Sequence, residues 1–136
     1  MLMCHQLVHP IMQKKAITVE GSKLYGPYTP GVSAGGIIWL SGQIDVEAGD
    51  DVKSQTAGAL AKIDALLNAA GCDKNCICFA QVLLDDIADF AAMNEVYGAW
   101  VEEMEIKPAR AAFEAGALPA GAKVEIVVQA IAKNCC

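Results

Sequence analysis

The chain has 136 residues, a net charge of −6 at pH 7 and a hydrophobic fraction of 54%, which suits a single domain able to bury its own core. The acidic balance argues against a nucleic-acid-binding surface, which would show clustered Lys and Arg, and no apolar run approaches the ~18 residues of a membrane helix. So high an apolar fraction without a spanning segment indicates either surface hidden in an oligomer or an alanine-rich core.

We interpret residues 1–15 as an N-terminal extension, residues 16–132 as the folded domain and residues 133–136 as a C-terminal tail. The extension lacks the order of a secretory signal, because His5 and His9 interrupt its apolar part and its lysines come last. The sequence therefore predicts a cytoplasmic protein, with mitochondria as the alternative location. The six cysteines are accordingly expected to remain thiols.

The first half of the domain is predicted to contain two strands and one helix. Residues 16–20 form a short strand candidate, and residues 26–31, with two Pro and two Gly, form an irregular loop. The β-branched and aromatic run at 37–41 predicts a buried strand. Residues 52–70 predict a helix, because their apolar residues recur at the 3.6-residue spacing of one helix face, and Gly71 supplies its end.

The second half is predicted to contain three strands and one helix. Residues 76–84 are almost continuously apolar, which predicts a strand buried on both faces. A helix is expected from Asp86 to about residue 103, with an inward stripe formed by Ile87, Phe90, Asn94, Tyr97 and Val101. Asn94 on this stripe should be buried and hydrogen-bonded. Two further strand candidates, 110–116 and 124–132, flank a turn at residues 118–122.

This order of elements predicts an α+β fold in which two helices cover one face of a sheet. The strands are apolar on their other face as well, so a second sheet should cover that face. Since the single domain has no second sheet to offer, another subunit is the simplest cover.

The sequence contains no metal-ligand or nucleotide-binding motif, so neither a metal nor a cofactor is predicted. Both histidines lie in the extension, which leaves the domain without the commonest acid–base group at neutral pH. Two charged residues, Arg110 and Glu125, stand in apolar strands. The pattern alone leaves two explanations open for each: a functional charge, or else a structural ion pair for Arg110 and an exposed edge position for Glu125.

Six sequence fragments, in order and at matching spacing, resemble the RidA (YjgF-type) family of imine and enamine deaminases across roughly residues 16–132. They are Gly-Pro-Tyr-Thr-Pro-Gly-Val at 26–32, Ser-Gly-Gln-Ile at 41–44, Gln-Thr-x-x-Ala-Leu at 55–60, Asp-Phe-x-x-x-Asn-x-x-Tyr at 89–97, Pro-Ala-Arg at 108–110, and Leu-Pro-x-Gly followed by Val-Glu-Ile at 118–126. One position departs from the pattern: many deaminating members carry a Cys two residues after the Arg, where this chain has Ala112.

The resemblance implies the family's chorismate-mutase-like α+β fold, with a mixed β-sheet, assembled as a homotrimer with ligand clefts between subunits. It also implies cofactor-free hydrolysis of 2-imino and enamine acids, such as 2-iminopropanoate and 2-aminoacrylate, to 2-keto acids and ammonia. By the same resemblance Arg110 binds the substrate carboxylate and Glu125 positions or deprotonates the attacking water. Orientation and hydrogen bonding of the substrate then fall to Tyr28, Ser41, the Gly42 backbone N–H and Asn94.

Two other functions stay open at this point. One is a non-catalytic trimer that binds small carboxylates at the same clefts in a regulatory role. The other is an endoribonuclease or translation inhibitor, an activity known among relatives, against which the acidic charge weighs.

A further hypothesis concerns how the site is assembled. If residues 110–116 and 124–132 form a hairpin, Glu125 faces residue 114 or 115, and Arg110 lies roughly 14–17 Å away at ~3.4 Å per residue. One subunit could then hardly bring both groups onto a three-carbon substrate. We therefore hypothesise that Arg110 and Glu125 of one site come from different subunits.

Overall fold

Six strands form one mixed sheet in the computed structural model, which describes residues 13–133. The strands are β1 (Lys15–Ile17), β2 (Gly31–Ala34), β3 (Ile37–Leu40), β4 (Ile77–Leu84), β5 (Ala109–Glu114) and β6 (Val124–Ile131). Their order across the sheet is β1-β2-β3-β6-β4-β5. Only β4 and β5 run parallel, and the other neighbours pair antiparallel.

Two helices, α1 (Val52–Ala69) and α2 (Phe90–Val101), pack on one face of this sheet, which confirms the predicted α+β class. Neither helix in the described range is long and apolar enough to cross a membrane. The predicted extension and tail, including His5, His9 and Cys135-Cys136, fall largely on residues 1–12 and 134–136, outside the described residues. The predicted domain boundaries therefore stay predictions.

Helix α1 follows its apolar pattern closely. Asp51 caps its first turn, because the Asp51 carboxylate accepts a hydrogen bond from the Ser54 backbone N–H at 2.9 Å. Gly71 follows the helix with a φ of 79°, a conformation that costs glycine little. The buried side chains recur at helical spacing and are Val52, Gln55, Thr56, Ala59, Leu60, Ile63, Leu66 and Leu67.

The sheet has one covered face and one open face. Alternate residues of β4 and β6 form the covered face, where the core residues include Ala80, Val82, Leu84, Val124, Ile126 and Val128. Large apolar side chains remain partly exposed on the open face: Trp39 at 41%, Phe113 at 42% and Ile131 at 51%. Within one chain β4 is buried on one face only, because both helices lie on the same side, and the predicted cover of its other face by another subunit stays a prediction.

The predicted hairpin between the last two strands is also wrong. β5 forms an edge of the sheet and pairs in parallel with β4, with Arg110 opposite Ala80, while β6 lies between β3 and β4. Helix α2 connects β4 to β5, and such a crossover connection is what joins parallel neighbouring strands. Glu125 accordingly faces Leu83 of β4 rather than residue 114 or 115.

Two smaller differences concern the first strands. β2 is absent from the prediction, because its Gly-Val-Ser-Ala sequence has low strand propensity. Pairing with both β1 and β3 orders this segment instead. β1 occupies Lys15–Ile17 rather than residues 16–20.

The inward stripe predicted for the second helix is partly wrong. α2 begins at Phe90, because Ile87–Asp89 form a separate 3-10 turn that Asp86 caps. Ile87 is 49% exposed and Phe90 is 37% exposed, so neither is core. The tighter turn shifts the phase of the stripe, and the buried α2 side chains are Met93, Tyr97 and Val101.

Gln55 joins the two loops that flank helix α1 and strand β6. Its side chain is nearly fully buried, its amide nitrogen donates to the Gly49 carbonyl at 2.8 Å, and its amide oxygen accepts from the Lys123 N–H at 2.9 Å. We expect Gln55→Leu to lower the free energy of unfolding by about 2 kcal/mol, because both backbone groups lose their partner. Chemical denaturation measures this loss. Asn68→Leu, at an exposed position of the same helix, is the control, and an equal loss in both variants would contradict the bridging role.

Candidate active site

Arg110 is surrounded by side chains of helix α2. Arg110 pairs with Ala80 of the neighbouring strand β4, and Ala80 lies in the core under the helices. The Arg110 side chain therefore points to the covered face of the sheet. Its Nη1 donates to Asn94 Oδ1 at 2.8 Å. Its guanidinium carbon lies 4.8 Å from the centre of the Tyr97 ring and 5.7 Å from that of Phe90. The hydrogen bond predicted for Asn94 is therefore present, although Asn94 is half-buried rather than buried.

The positive charge of Arg110 has no counter-ion among residues 13–133. No carboxylate of that range lies within 4.0 Å of its guanidinium, so an ion pair within this part of the chain does not explain the arginine. An ion pair across a subunit interface stays the structural alternative. Within the same range, Nη1 is the guanidinium nitrogen that has a hydrogen-bond acceptor. Nε and Nη2 have no acceptor in that range, and two parallel N–H groups match the two oxygens of a carboxylate.

Glu125 lies in a second group of predicted site residues, at the open face. A depression of about 360 Å³ is lined by Tyr25, Gly26, Tyr28, Ser41, Gly42, Ile44, Pro119 and Glu125. The Glu125 carboxylate rests against Gly42, where a Cβ atom would overlap with it. Glycine at position 42 therefore makes the space that this carboxylate occupies.

Hydrogen bonds of its two neighbours, Ser41 and Gln43, hold Gly42 from both sides. On one side, the Ser41 hydroxyl donates to the Thr29 carbonyl at 2.6 Å, and the Ser41 N–H donates to the Pro30 carbonyl at 2.8 Å. On the other side, the Gln43 N–H donates to the Ile126 carbonyl at 2.9 Å, next to Glu125. Ser41 thus holds the loop, and it keeps its hydroxyl oxygen available as an acceptor.

Tyr28 also organises this loop. Its hydroxyl accepts a hydrogen bond from the Tyr25 N–H at 3.2 Å, and its ring is partly exposed at the depression. Of the six predicted site residues, Tyr28, Ser41, Gly42 and Glu125 therefore meet in one place. Arg110 and Asn94 meet in another.

The two groups do not meet within one chain. Arg110 is level with Ala80 of β4 and Glu125 with Leu83, three residues further along, and β4 lies between the two strands. Two strand spacings and three residues along the strand amount to about 14 Å. The two side chains also point to opposite faces, because Ala80 and Leu83 alternate along β4. The hairpin that motivated the two-subunit hypothesis is wrong, but the observed register leads to the same separation.

Burial affects two titratable groups of the site. Burial raises the pKa of the Glu125 carboxyl above its ordinary value, because a partly desolvated carboxylate loses the hydration that stabilises its charge. Burial also raises the pKa of the Tyr97 hydroxyl, and the nearby charge of Arg110 partly offsets this effect. No group of three or more His, Cys, Asp or Glu side chains suited to a metal ion occurs in the described part of the chain.

The residues that the sequence did not assign to the site are Phe90 and Tyr97. Their spacing with Asn94, at positions 90, 94 and 97, places all three on one helix face. That spacing is a usable signal, but it predicts equally well a stripe that faces the core.

Comparison with known proteins identifies relatives along most of the chain. Residues 20–132 match the family model described as endoribonuclease L-PSP. A RutC family protein of Pyrococcus horikoshii is 39% identical over 121 residues, covering 85% of this chain and 94% of that protein. The 2-iminobutanoate/2-iminopropanoate deaminase of Mus musculus is 34% identical over 127 residues, covering 89% of this chain and 93% of that enzyme.

A solved structure agrees with these relatives. The crystal structure of E. coli TdcF with bound serine matches with a TM-score of 0.78 at 33% identity, covering 86% of this chain and 98% of that one. The likeness therefore extends over the sheet and both helices.

The raised pKa of Glu125 predicts a pH-dependent stability. The folded protein holds the proton of the Glu125 carboxyl to a higher pH than the unfolded chain does. The contribution of this proton to the free energy of unfolding is therefore present below the unfolded pKa and is lost as pH rises through the raised folded pKa. We expect Glu125→Gln to be more stable than the wild type near pH 7, with the difference shrinking towards pH 4. Denaturant titrations at one protein concentration measure it. Glu103→Gln removes an exposed acid, and an equal pH-dependent gain there would contradict the effect of burial.

Proposed function

This chain belongs to the endoribonuclease L-PSP family, which is the RidA family named above, and we propose that it hydrolyses 2-imino and enamine acids to 2-keto acids and ammonia. The observation that carries the proposal is the guanidinium of Arg110, oriented by Asn94 and without a carboxylate partner among residues 13–133. Support also comes from the mouse relative named as a deaminase of such acids and from the serine bound to TdcF, since serine carries the same α-carboxylate.

Arg110 binds the substrate carboxylate in this proposal. The Nε–Nη2 edge donates two N–H bonds to the two carboxylate oxygens, and the guanidinium stays charged at any working pH. In a 2-imino acid the C=N carbon is bonded to the carboxylate, so binding of the carboxylate by Arg110 also sets the distance between this carbon and the arginine. Enamines such as 2-aminoacrylate react after tautomerising to the imine.

Glu125 activates the water in this proposal. The carboxylate takes a proton from water as the water oxygen bonds to C2, and it gives this proton to the imine nitrogen, which yields a neutral carbinolamine. The carboxylate then takes the proton of the carbinolamine hydroxyl and gives it to nitrogen as the C–N bond breaks and the C=O bond forms. Ammonia leaves and the 2-keto acid remains. A carboxylate whose pKa is raised by burial is a stronger base than an ordinary carboxylate, which suits the removal of a proton from water. Tyr28, Ser41 and the Gly42 N–H orient the substrate from the same depression.

The active unit is an assembly of subunits, and we propose a homotrimer. Arg110 and Glu125 of one chain lie on opposite faces of the sheet, so a complete site requires Arg110 of one subunit beside Glu125 of another. The exposed Trp39, Phe113 and Ile131 of the open face supply apolar area for such contacts.

Ala112 bears on the chemistry of this site. It lies on β5 two residues after Arg110, on the same face, and is half-buried. Its methyl group offers no thiol, so the proposed reaction uses no cysteine at this position.

A binding protein without turnover remains the main alternative, and the endoribonuclease description of the family is the second. Both are separated from the deaminase by measuring release of 2-keto acid from a coupled serine or threonine dehydratase reaction. RNA cleavage that survives repurification and persists in Arg110→Ala would support the nuclease instead.

Arg110 is the single arginine of the chain, so its substitution removes the only guanidinium that could bind the substrate carboxylate. We expect Arg110→Lys to lower kcat/KM for 2-iminopropanoate about 10²-fold, because lysine keeps the charge but loses the two-point grip. Lys107→Ala, which removes an exposed charge three residues away, should keep wild-type activity. Wild-type kcat/KM in Arg110→Lys would contradict the proposed anchor.

Mixed assemblies test whether one site draws on two subunits. Arg110→Ala and Glu125→Ala proteins should each be inactive. After subunit exchange at equal amounts, about a quarter of the sites combine an intact Arg110 with an intact Glu125 if these come from different subunits of a cyclic trimer. The rate of keto-acid release should then approach about a quarter of the wild-type rate. No recovery, with mixed assemblies verified by native mass spectrometry, would place both residues of a site in one chain.

A further inference from the structure

We propose that Tyr97 is a positioning residue for Arg110, an inference that rests on the proposed function. The Tyr97 ring lies closer to the guanidinium than Phe90 does, with 4.8 Å between its centre and the guanidinium carbon. Tyr97 is only 6% exposed, so its ring is held by the surrounding core. It therefore offers a rigid surface to a side chain that would otherwise be flexible.

The Tyr97 ring is itself anchored through a chain of contacts to helix α1. The ring of Trp100 packs against it with 6.0 Å between the ring centres. Trp100 Nε1 donates to Asp64 Oδ2 of α1 at 3.1 Å, and Lys74 Nζ lies 5.3 Å from the centre of the Trp100 ring. The position of the Arg110 guanidinium thus depends on the packing of α2 against α1.

The Tyr97 hydroxyl indicates which part of this residue matters. The hydroxyl oxygen is buried and has no hydrogen-bond partner within the described structure. A buried hydroxyl without a partner lowers stability, so it does not explain the presence of an aromatic ring at this position. The contact between the ring and the guanidinium does, because aromatic faces attract and orient cations.

Orientation before binding has a kinetic consequence. An arginine side chain loses rotamer freedom when it grips a carboxylate, and this loss weakens binding unless the side chain is already ordered. Asn94 accepts a hydrogen bond from one nitrogen of the guanidinium, and the Tyr97 ring lies 4.8 Å from the guanidinium carbon. Removing the ring should therefore weaken binding of the substrate and of the transition state alike, which raises KM and leaves kcat nearly unchanged.

The experiment compares Tyr97→Phe, Tyr97→Leu and the control Val101→Ala. Val101 is buried on the same helix and makes no hydrogen bond or ring contact with Arg110. We expect Tyr97→Leu to raise KM for 2-iminopropanoate about tenfold, with kcat changed less than about twofold. Tyr97→Phe should keep the wild-type KM and an equal or higher melting temperature. Val101→Ala should lower the melting temperature and leave KM unchanged.

A second measurement separates this inference from the proposed function. Because Arg110 is the single arginine, phenylglyoxal modifies one site, and its rate can be followed by mass spectrometry without any turnover. Modification should be faster in Tyr97→Leu than in the wild type and unchanged in Tyr97→Phe and Val101→Ala. If neither the wild type nor any variant releases keto acid, the proposed function fails. The rates of phenylglyoxal modification still test the positioning role in that case.

Three outcomes would overturn the positioning role. The first is a KM in Tyr97→Phe raised as far as in Tyr97→Leu, which would assign the function to the hydroxyl. The second is an equal rise in Val101→Ala, which would mean that any loss of packing has this effect. The third is an unchanged modification rate in Tyr97→Leu. Should the leucine variant not fold, Tyr97→Met, which is flexible enough to refill the space, takes its place in every comparison.

Discussion

An arginine that the fold orients without neutralising is the interaction on which the rest of the site depends. A half-buried guanidinium is costly unless a partner compensates its charge. The neighbours of Arg110 are an amide oxygen and two aromatic rings, which hold the group and leave its charge intact. Such a cation keeps its attraction for an anion from solution. In the proposed reaction, the Glu125 carboxylate of another subunit must reach an anion held by this arginine, which is why the depression around Glu125 and the open face of the sheet matter to the same proposal.

The helices of the fold could be predicted from the sequence more readily than the order of its strands. In α1, apolar residues recur every third or fourth position from Val52 to Leu67, and local physics alone places that stripe against a core. Strand pairing has no comparable local signal. Whether β5 pairs with β4 or β6 depends on where α2 crosses the sheet, and the same apolar strand fits either neighbour. The hairpin prediction failed for this reason, and β2 was missed because its neighbours order it.

The residues of the candidate site could likewise be predicted where a local sequence signal exists, but their relative positions could not. Arg110 and Glu125 stand out in the sequence because each interrupts an apolar strand, and the family motifs add Tyr28, Ser41, Gly42 and Asn94. The helical stripe assigns Tyr97 and Phe90 to the core, which is correct for Tyr97 alone. Their contact with Arg110 depends on β5 lying beneath α2, and the sequence carries no local signal for that arrangement. The separation of Arg110 from Glu125 is also a result of strand order and of alternation along β4. Residue types and motifs thus indicate which side chains belong to the candidate site, whereas the pairing of strands determines which of these side chains lie close together.

The contact between Gly42 and Glu125 links two positions that are far apart in the sequence. The carboxylate occupies the volume that a side chain at position 42 would need, so position 42 can gain a side chain only if the Glu125 side chain moves. A methyl group at 42 would make the Glu125 side chain rotate away or would require a shorter acid at 125, and either change displaces the carboxylate. A redesign of this pocket for bulkier acids would therefore have to consider positions 42 and 125 together.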